Sequence, residues 1–317
     1  MTQSFKVFID GEAGTTGLQI RQRLDQHPHI NVVSIDHDKR KDLDAKKALL
    51  STIDVCILCL PDAAAKEAAL LCQSMGVRVL DASSAHRTHK DWVYGLPEIN
   101  PEQRNAIQQA PLVSNPGCYA TGANVLLKPL TEAGLIPDDY LISVNAVSGY
   151  SGGGKQMIEN YESEHSQAPT FGLYGLEFQH KHTPEIEQWS DLKRRPVFIP
   201  SVSAYAQGML VHIMLDHKAL NIDNSKLLHQ TLDNYYHNEA LIGVQAFNYV
   251  DQDSSPFLTP HGISGKNRCD VYCYGDQAYS QTLLVAKLDN LGKGASGACV
   301  QNLNIMLGLE ETLAVDI

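Results

Sequence analysis

Cys118 stands in the segment VSNPGCYATGANVLLKPL, just past a Pro116-Gly117 turn and at the predicted opening of a helix. The first backbone N–H groups of a helix have no intrahelical partner, and their partial positive charge favours thiolate over thiol. Cys118 is therefore a candidate nucleophile. The chain has seven cysteines, and a cysteine flanked by apolar residues ordinarily fills core space and does nothing else. That bland role suits Cys56, Cys59 and Cys72, which lie within continuous apolar strand or helix patterns, and Cys299 in the closing helix. Cys56 and Cys59 have CxxC spacing, but on an apolar strand their side chains point to opposite faces. With an odd cysteine count and no second pair, disulfide and structural-zinc frameworks are weak readings.

A cysteine nucleophile needs a proton partner. The chain offers 13 histidines, mostly single and surface-like, but FQHKHTPEIEQ packs His180, His182, Glu185 and Glu187 into eight residues. His180 and His182 share a face if the segment is extended, and Pro184 with Glu185 reads as the start of a helix. A metal site is the rival reading, weakened by the lack of a nearby HxxxH or cysteine ligand pair.

Four further stretches are candidates for binding anions or a cofactor. In IDGEAGTTGLQI, Gly11, Gly14 and Gly17 follow a strand and open a helix. There, small residues let the backbone approach a pyrophosphate and the helix start presents N–H groups to it. Thr15 and Thr16 stand between the last two glycines and are grouped with them as cofactor contacts. At the end of the next strand Asp36 suits a free ribose 2′-hydroxyl, whereas Lys39, Arg40 and Lys41 suit the 2′-phosphate of NADP; a charge run is otherwise a solvated face. The basic run points to NADP. In DASSAHRT, Arg87 follows a strand end, where a guanidinium can clamp a carboxylate or phosphate. VSGYSGGGK, Val147 to Lys155, is either a ligand-hugging glycine loop or a plain mobile one.

These groups need a scaffold, and alternating strand and helix patterns supply one. Phe5 to Gly11, Ile30 to Asp36, Asp54 to Pro61 and VRVLDAS read as strands, with helices between them. That alternation predicts a doubly wound parallel-sheet, Rossmann-like α/β domain. Beyond Cys118, LISVNAVSGY, PVFIPSVSAYAQGMLVHIML, NRCDVYCYG and QTLLVAKLD are strand-rich, which predicts an α+β domain with a largely antiparallel sheet. GASGACVQNLNIMLGL returns to helix. The division expected is residues 1–117 for dinucleotide binding, completed by helix 291–317, and residues 118–290 for catalysis, substrate and oligomerisation.

At 317 residues, 43% hydrophobic and 19% charged, the composition is that of a folded globular chain with room for two cores. A formal net charge of −11 disfavours nucleic acid and anionic membrane as partners. No segment approaches the roughly 18 apolar residues of a membrane span. With neither a basic leader nor a long apolar run in MTQSFKVFID, the expected location is cytoplasmic.

GEAGTTGLQI, DASSAHR, NPGCYATG, VSGYSGGGK, EFQHKHTPEI and DNLGKGASGACVQNLN occur in the order of the N-acetyl-gamma-glutamyl-phosphate reductase family, related to aspartate-semialdehyde dehydrogenase. The resemblance runs the length of the chain, and the short opening is similar to the shorter of the family's two forms. It implies that Cys118 attacks the acyl phosphate of N-acetyl-glutamyl 5-phosphate, that NADPH reduces the resulting thioester, and that the semialdehyde is released. It implies acid/base work for His182, with His180 beside it and Glu185 orienting the site, and substrate anion binding by Arg87. Ser148, Gly149 and Gly152 match the loop at the nicotinamide half, and Asn290 the asparagine near the nicotinamide amide. It further implies a final helix folded onto the first domain and a homo-oligomer, as a tetramer. Aspartyl or aminoadipyl phosphate as substrate, a silent nucleotide-binding sensor and a metal-dependent hydrolase are the competing readings.

Overall fold

The computed structural model describes residues 4–40, 42–250, 256–276 and 278–317; Lys41 lies outside the described residues. The chain divides into two compact units, Met1–Pro116 with Ala295–Asp316, and Gly117–Gly294. No helix among the described residues is long and apolar enough to cross a membrane.

The first unit contains strands β1 (Phe5–Asp10), β2 (Ile30–Val33), β3 (Val55–Leu58), β4 (Arg78–Asp81), β5 (Val93–Tyr94) and β6 (Leu112–Ser114). They form one sheet in the order β2-β1-β3-β4-β6-β5, and every pairing is parallel. Helices α1 (Thr15–Leu24), α2 (Leu43–Leu50), α3 (Asp62–Ser74) and α4 (Gln103–Gln109) alternate with the strands. A parallel strand covered on both faces must be apolar throughout, and β3 is buried at all four positions. Ile57 joins Ile20 and Leu24 in one core layer, whereas Cys56 and Leu58 join Ala68, Ala69 and Cys72 in the other. Cys56 and Cys59 accordingly serve opposite faces. β2 is shorter than the Ile30 to Asp36 expected. It pairs only through Val33, and the chain then enters a 3-10 turn over His37–Lys39.

The second unit holds α5 (Cys118–Glu132), β7 (Ser143–Gly149), α6 (Lys155–Glu162), β8 (Phe171–Leu173), α7 (Thr183–Trp189), β9 (Val197–Ser203), β10 (Met209–Asp216), α8 (His217–Leu220), α9 (Ser225–Tyr236), β11 (Ile242–Val244), β12 (Cys269–Asp276) and β13 (Gln281–Leu288). The seven strands form a mixed sheet in the order β11-β12-β13-β10-β7-β9-β8. Four of its pairings are antiparallel, and β7/β9 and β11/β12 are parallel. Helix α5 is packed hard onto this sheet: a Cβ at Gly122 would lie 2.8 Å from Cγ2 of Val211 on β10. Pro129, inside α5, has no N–H to give the Val125 carbonyl. The Tyr236 hydroxyl of α9 donates to that carbonyl instead, at 2.9 Å.

Helix α10 (Gly297–Leu307) belongs to the first unit, with Cys299, Val300 and Leu303 in the same core layer as β1. Three polar residues on it are fully buried, Gln301, Asn302 and Asn304. Each is hydrogen-bonded: Gln301 donates to Glu98 at 2.8 Å, Asn302 to the Gly95 carbonyl at 2.8 Å, and Asn304 to the Leu313 carbonyl at 2.8 Å. A buried amide left without partners costs about 1–3 kcal/mol.

Candidate active site

Cys118 is the first residue of α5 and half-buried, preceded by Gly117 in an extended conformation that provides no side-chain cap. The Gly117 N–H is satisfied from outside the helix. It donates to the carboxylate of Glu185 on α7, at 2.7 Å, and Glu185 is itself only 1% exposed. The elements that carry Cys118 and Glu185 are thus tied at the start of α5.

His182 is the N-cap residue of α7, with φ −81° and ψ −15°, and Pro184 stands in the first turn of that helix. His180 and His182 are therefore joined by a turn, not by the extended segment expected from their spacing. The turn still brings them together, with ring centroids 4.8 Å apart and edge-to-face. His180 Nδ1 accepts the His182 backbone N–H at 3.2 Å, which fixes the first ring on the backbone of the second. Both rings surround Tyr119, the residue after the cysteine, at 6.0 Å and 5.7 Å.

Two residues that sequence reasoning did not assign complete this cluster. The Tyr174 hydroxyl donates to that of Tyr119 at 2.9 Å, and Tyr119 donates to the Ser201 carbonyl at 3.1 Å. Burial above all, and also the neighbouring Cys118, push both phenols above their ordinary range. Both stay neutral hydrogen-bond donors at neutral pH. The only available signal was adjacency, Tyr119 within NPGCYATG and Tyr174 within LYGLEF. A cavity of about 220 Å³ opens beside them, lined by Tyr119, Tyr174, His180, Ser148, Gly149 and Gly152 among others.

The same cavity collects the glycine loop. β7 ends at Gly149 and passes into a single 3-10 turn, Tyr150–Gly153. A Cβ at Gly149 would lie 2.4 Å from the Ala206 carbonyl oxygen, so only glycine fits there. A Cβ at Gly152 would meet Ser148 Oγ at 3.1 Å and Asn290 Nδ2 at 3.5 Å. Asn290 holds the loop in place, donating to Ser151 Oγ at 2.9 Å and accepting the Gly208 N–H at 2.9 Å.

Three of the other cysteines are unreactive by burial. Cys59 and Cys273 are pushed up to about 12 by burial, and Cys299 is raised by the same cause. These thiols are protonated packing groups. Among the described residues no group of three or more His, Cys, Asp or Glu side chains is placed to hold a metal ion.

In the first unit, Gly11, Gly14, Thr15, Thr16 and Gly17 lead from β1 into α1. Gly11 has φ +91°, and its Cβ would lie 2.3 Å from the Cys59 carbonyl oxygen; a Cβ at Gly17 would lie 2.5 Å from the Gly11 oxygen. Internal packing accounts for both. It does not account for Gly14, whose Cβ would have no heavy atom nearer than the Gly11 oxygen at 3.5 Å. The helix start has no side-chain cap and no acidic residue in its first turn. Such an N-terminus fits a pyrophosphate. Beyond β2, Lys39 is exposed and lies 3.7 Å from the Asp36 carboxylate, with Arg40 exposed beside it. Arg87, 8% exposed, donates through Nε to the Asn115 carbonyl at 2.9 Å and through its guanidinium to Ala82 at 3.2 Å. Those bonds fix the plane of its guanidinium.

Comparison with known proteins agrees with this architecture. Residues 6–107 match the semialdehyde dehydrogenase NAD binding domain, and residues 118–290 the semialdehyde dehydrogenase dimerisation domain. Aspartate semialdehyde dehydrogenase II from Vibrio cholerae has a similar fold, with a TM-score of 0.70 at 18% identity over 96% of this chain and 99% of that one. Aspartate semialdehyde dehydrogenase with NADP from Candida albicans gives a TM-score of 0.70 at 16% identity, over 96% and 99%. The chain is 50% identical to N-acetyl-gamma-glutamyl-phosphate reductase 2 of Nostoc sp., over 98% of this chain and 99% of the relative. It is 45% identical to N-acetyl-gamma-glutamyl-phosphate reductase of Brucella suis, over 96% and 99%. The chain therefore belongs to the semialdehyde dehydrogenase family and, within it, to the N-acetyl-gamma-glutamyl-phosphate reductases.

Proposed function

We propose that this chain catalyses the NADPH-dependent reductive dephosphorylation of N-acetyl-L-glutamyl 5-phosphate to N-acetyl-L-glutamate 5-semialdehyde, a step of arginine biosynthesis in the cytoplasm. The observation that carries the reading is the gathering of Cys118, Glu185 and the His180–His182 turn around the start of α5 and Tyr119.

The Cys118 thiolate attacks the acyl carbon, the bond to phosphate breaks, and a thioester forms with phosphate as leaving group. Bound NADPH supplies the hydride that reduces the thioester carbonyl. His182 protonates the carbonyl oxygen as charge develops on it, then takes that proton back as the carbon–sulfur bond breaks, releasing aldehyde and thiolate. His180 contacts the substrate, and Glu185 orients the site by keeping the Gly117 N–H in place. Arg87 holds an anionic part of the substrate. Gly11, Gly14, Thr15, Thr16 and Gly17 cradle the pyrophosphate, Lys39 and Arg40 take the 2′-phosphate, and Ser148, Gly149, Gly152 and Asn290 bound the nicotinamide half. Residues 1–117, with the closing helix, bind the dinucleotide; residues 118–290 carry catalysis and assembly into a homotetramer. The exposed Met214 of β10, 64% accessible, fits an apolar contact between subunits.

The acyl phosphate is unstable, so the test runs in reverse. The enzyme should oxidise N-acetyl-glutamate semialdehyde with NADP only when inorganic phosphate is present, and prefer it to aspartate semialdehyde. Equal or faster turnover of aspartate semialdehyde would overturn the substrate, and turnover without phosphate would overturn the acyl-phosphate chemistry.

A further inference from the structure

Of the segment from Asp289 to Gly294, which ends inside the π-helical turn Gly292–Ser296, the chemistry above uses only Asn290, yet Gly294 comes directly against the nucleophile. A Cβ on Gly294 would lie 2.6 Å from the Cβ of Cys118 and 3.2 Å from its Cα, far inside carbon–carbon contact. The two backbones therefore touch at Cys118, and no side chain fits between them. The turn is held from behind. Gly294 N–H donates to the Asp289 carbonyl at 2.9 Å. The Asp289 carboxylate, 1% exposed, accepts from Leu291 N–H at 3.0 Å and from Gly265 N–H at 2.6 Å. Burying a carboxylate is costly unless it is hydrogen-bonded, and these two charge-assisted bonds make Asp289 a stiff link between the turn and the 265–266 segment. A Cβ at Gly292 would lie 2.0 Å from the Lys266 carbonyl oxygen, so the turn is pressed against that segment at a second point.

We propose that this turn sets the orientation of the Cys118 thiol, with Gly294 as the contact and Asp289 as the anchor, both as positioning residues for thioester formation. A backbone against one flank of Cys118 Cβ restricts rotation of the thiol about χ1. Attack on an acyl carbon tolerates little misplacement, since an error of about 1 Å can cost roughly 10²-fold. The inference rests on Cys118 being the nucleophile.

The test combines steady-state kinetics with the rate of iodoacetamide alkylation at Cys118 over a pH series, followed by mass spectrometry of the Cys118 peptide in the full-length enzyme. Gly294→Ala should fold, bind NADPH within about twofold of the parent, and lose on the order of 10² in kcat with little change in KM. Its Cys118 alkylation should slow at every pH. Asp289→Asn keeps the shape but turns an amide N–H toward a backbone N–H; it should shift both readouts the same way by a smaller factor, roughly tenfold. A folded Gly294→Ala enzyme with parental kcat and alkylation rate would overturn the proposal. If Gly294→Ala does not fold, parental values for Asp289→Asn would overturn it. Failure of the nucleophile reading is seen separately: Cys118→Ser would then retain turnover, whereas alkylation reports on the thiol whether or not it is catalytic.

Discussion

Helices α1 and α5 each start at a glycine in extended conformation, Gly14 at φ −78°, ψ 163° and Gly117 at φ −81°, ψ 147°. Neither glycine can cap its helix with a side chain, and neither helix has an acidic residue in its first turn. Helices α2 and α9, by contrast, are capped by the side chains of Asp42 and Asn224. With glycine at the N-cap, forgoing such a side chain costs only roughly a few tenths of a kcal/mol. At α5 the cap N–H is instead taken by the buried Glu185, and a cysteine occupies the first helical position. At α1 the first positions are two threonines followed by Gly17, and no carboxylate stands in the first turn. On the chemistry proposed above, the two helix starts are one electrostatic device with two uses: at α5 it favours the thiolate of Cys118, and at α1 it receives an anion that arrives with a cofactor.

The largest expected effect lies at α5. Cys118→Ser should abolish turnover, because a hydroxyl is a poor nucleophile even at a helix N-terminus. NADPH binding should survive, since the proposed cofactor contacts at α1 are untouched. His182→Asn should lose typically ~10²–10⁴ in rate, the contribution of one general acid, and should do so after acylation. A thioester on Cys118 should then accumulate with substrate and NADPH present. Mass spectrometry that finds no acyl group on the His182→Asn enzyme, together with an active Cys118→Ser enzyme, would refute the covalent scheme and dissolve the contrast between the two helices.

The next effect is at the first unit's basic turn. Replacing Lys39 and Arg40 together by alanine should raise KM for NADPH by about tenfold or more, the scale of a lost charged hydrogen bond, while KM for NADH changes little. Only NADPH carries the 2′-phosphate. An equal effect on both cofactors would mean that Asp36, 3.7 Å from Lys39, governs the ribose end.

What could be read from the sequence was whatever is local in it. Strand, glycine turn and helix follow one another at β1 and α1, and Pro116-Gly117 announces the start of α5. The apolar run around Cys56 and Cys59 told its two faces apart because strand alternation is fixed by backbone geometry. Where the chain's course depends on distant partners, spacing misled. β2 stops at Val33 because the chain turns away from the sheet, although Ile35 is apolar enough to continue it. His180 and His182 meet through a turn at the N-cap of α7, a position set by the helix and not by the i, i+2 interval. The histidines, expected to be mostly surface-like, are not uniformly so: His27, His86 and His217 are buried against specific partners, Asn304, Asp81 and Thr282. The approach of Gly294 to Cys118 bridges well over a hundred residues, and a glycine in a small-residue run gives no sign of what it touches. Glu185 shows both sides: its place in a helix start was legible, but the Gly117 N–H it accepts was not.

The smallest effect concerns Gly14, and it tests the α1 half of the comparison most directly. Packing inside the protein explains why Gly11 and Gly17 carry no side chain, but Gly14 has allowed dihedrals for any residue and room for a Cβ. Gly14→Ala should therefore cost no more than about 1 kcal/mol of stability, the N-cap preference for glycine over alanine, with no added steric penalty. If the empty space is where the pyrophosphate approaches the backbone, the added methyl should weaken the cofactor by about the value of one hydrogen bond, 0.5–1.5 kcal/mol. That corresponds to a rise of roughly two- to tenfold in KM for NADPH and, because both cofactors share the pyrophosphate, an equal rise for NADH. The equality separates this site from Lys39 and Arg40, whose replacement discriminates between the two. An unchanged KM for both cofactors would make Gly14 a plain turn residue, and the N-terminus of α1 would lose its claim to be the counterpart of α5.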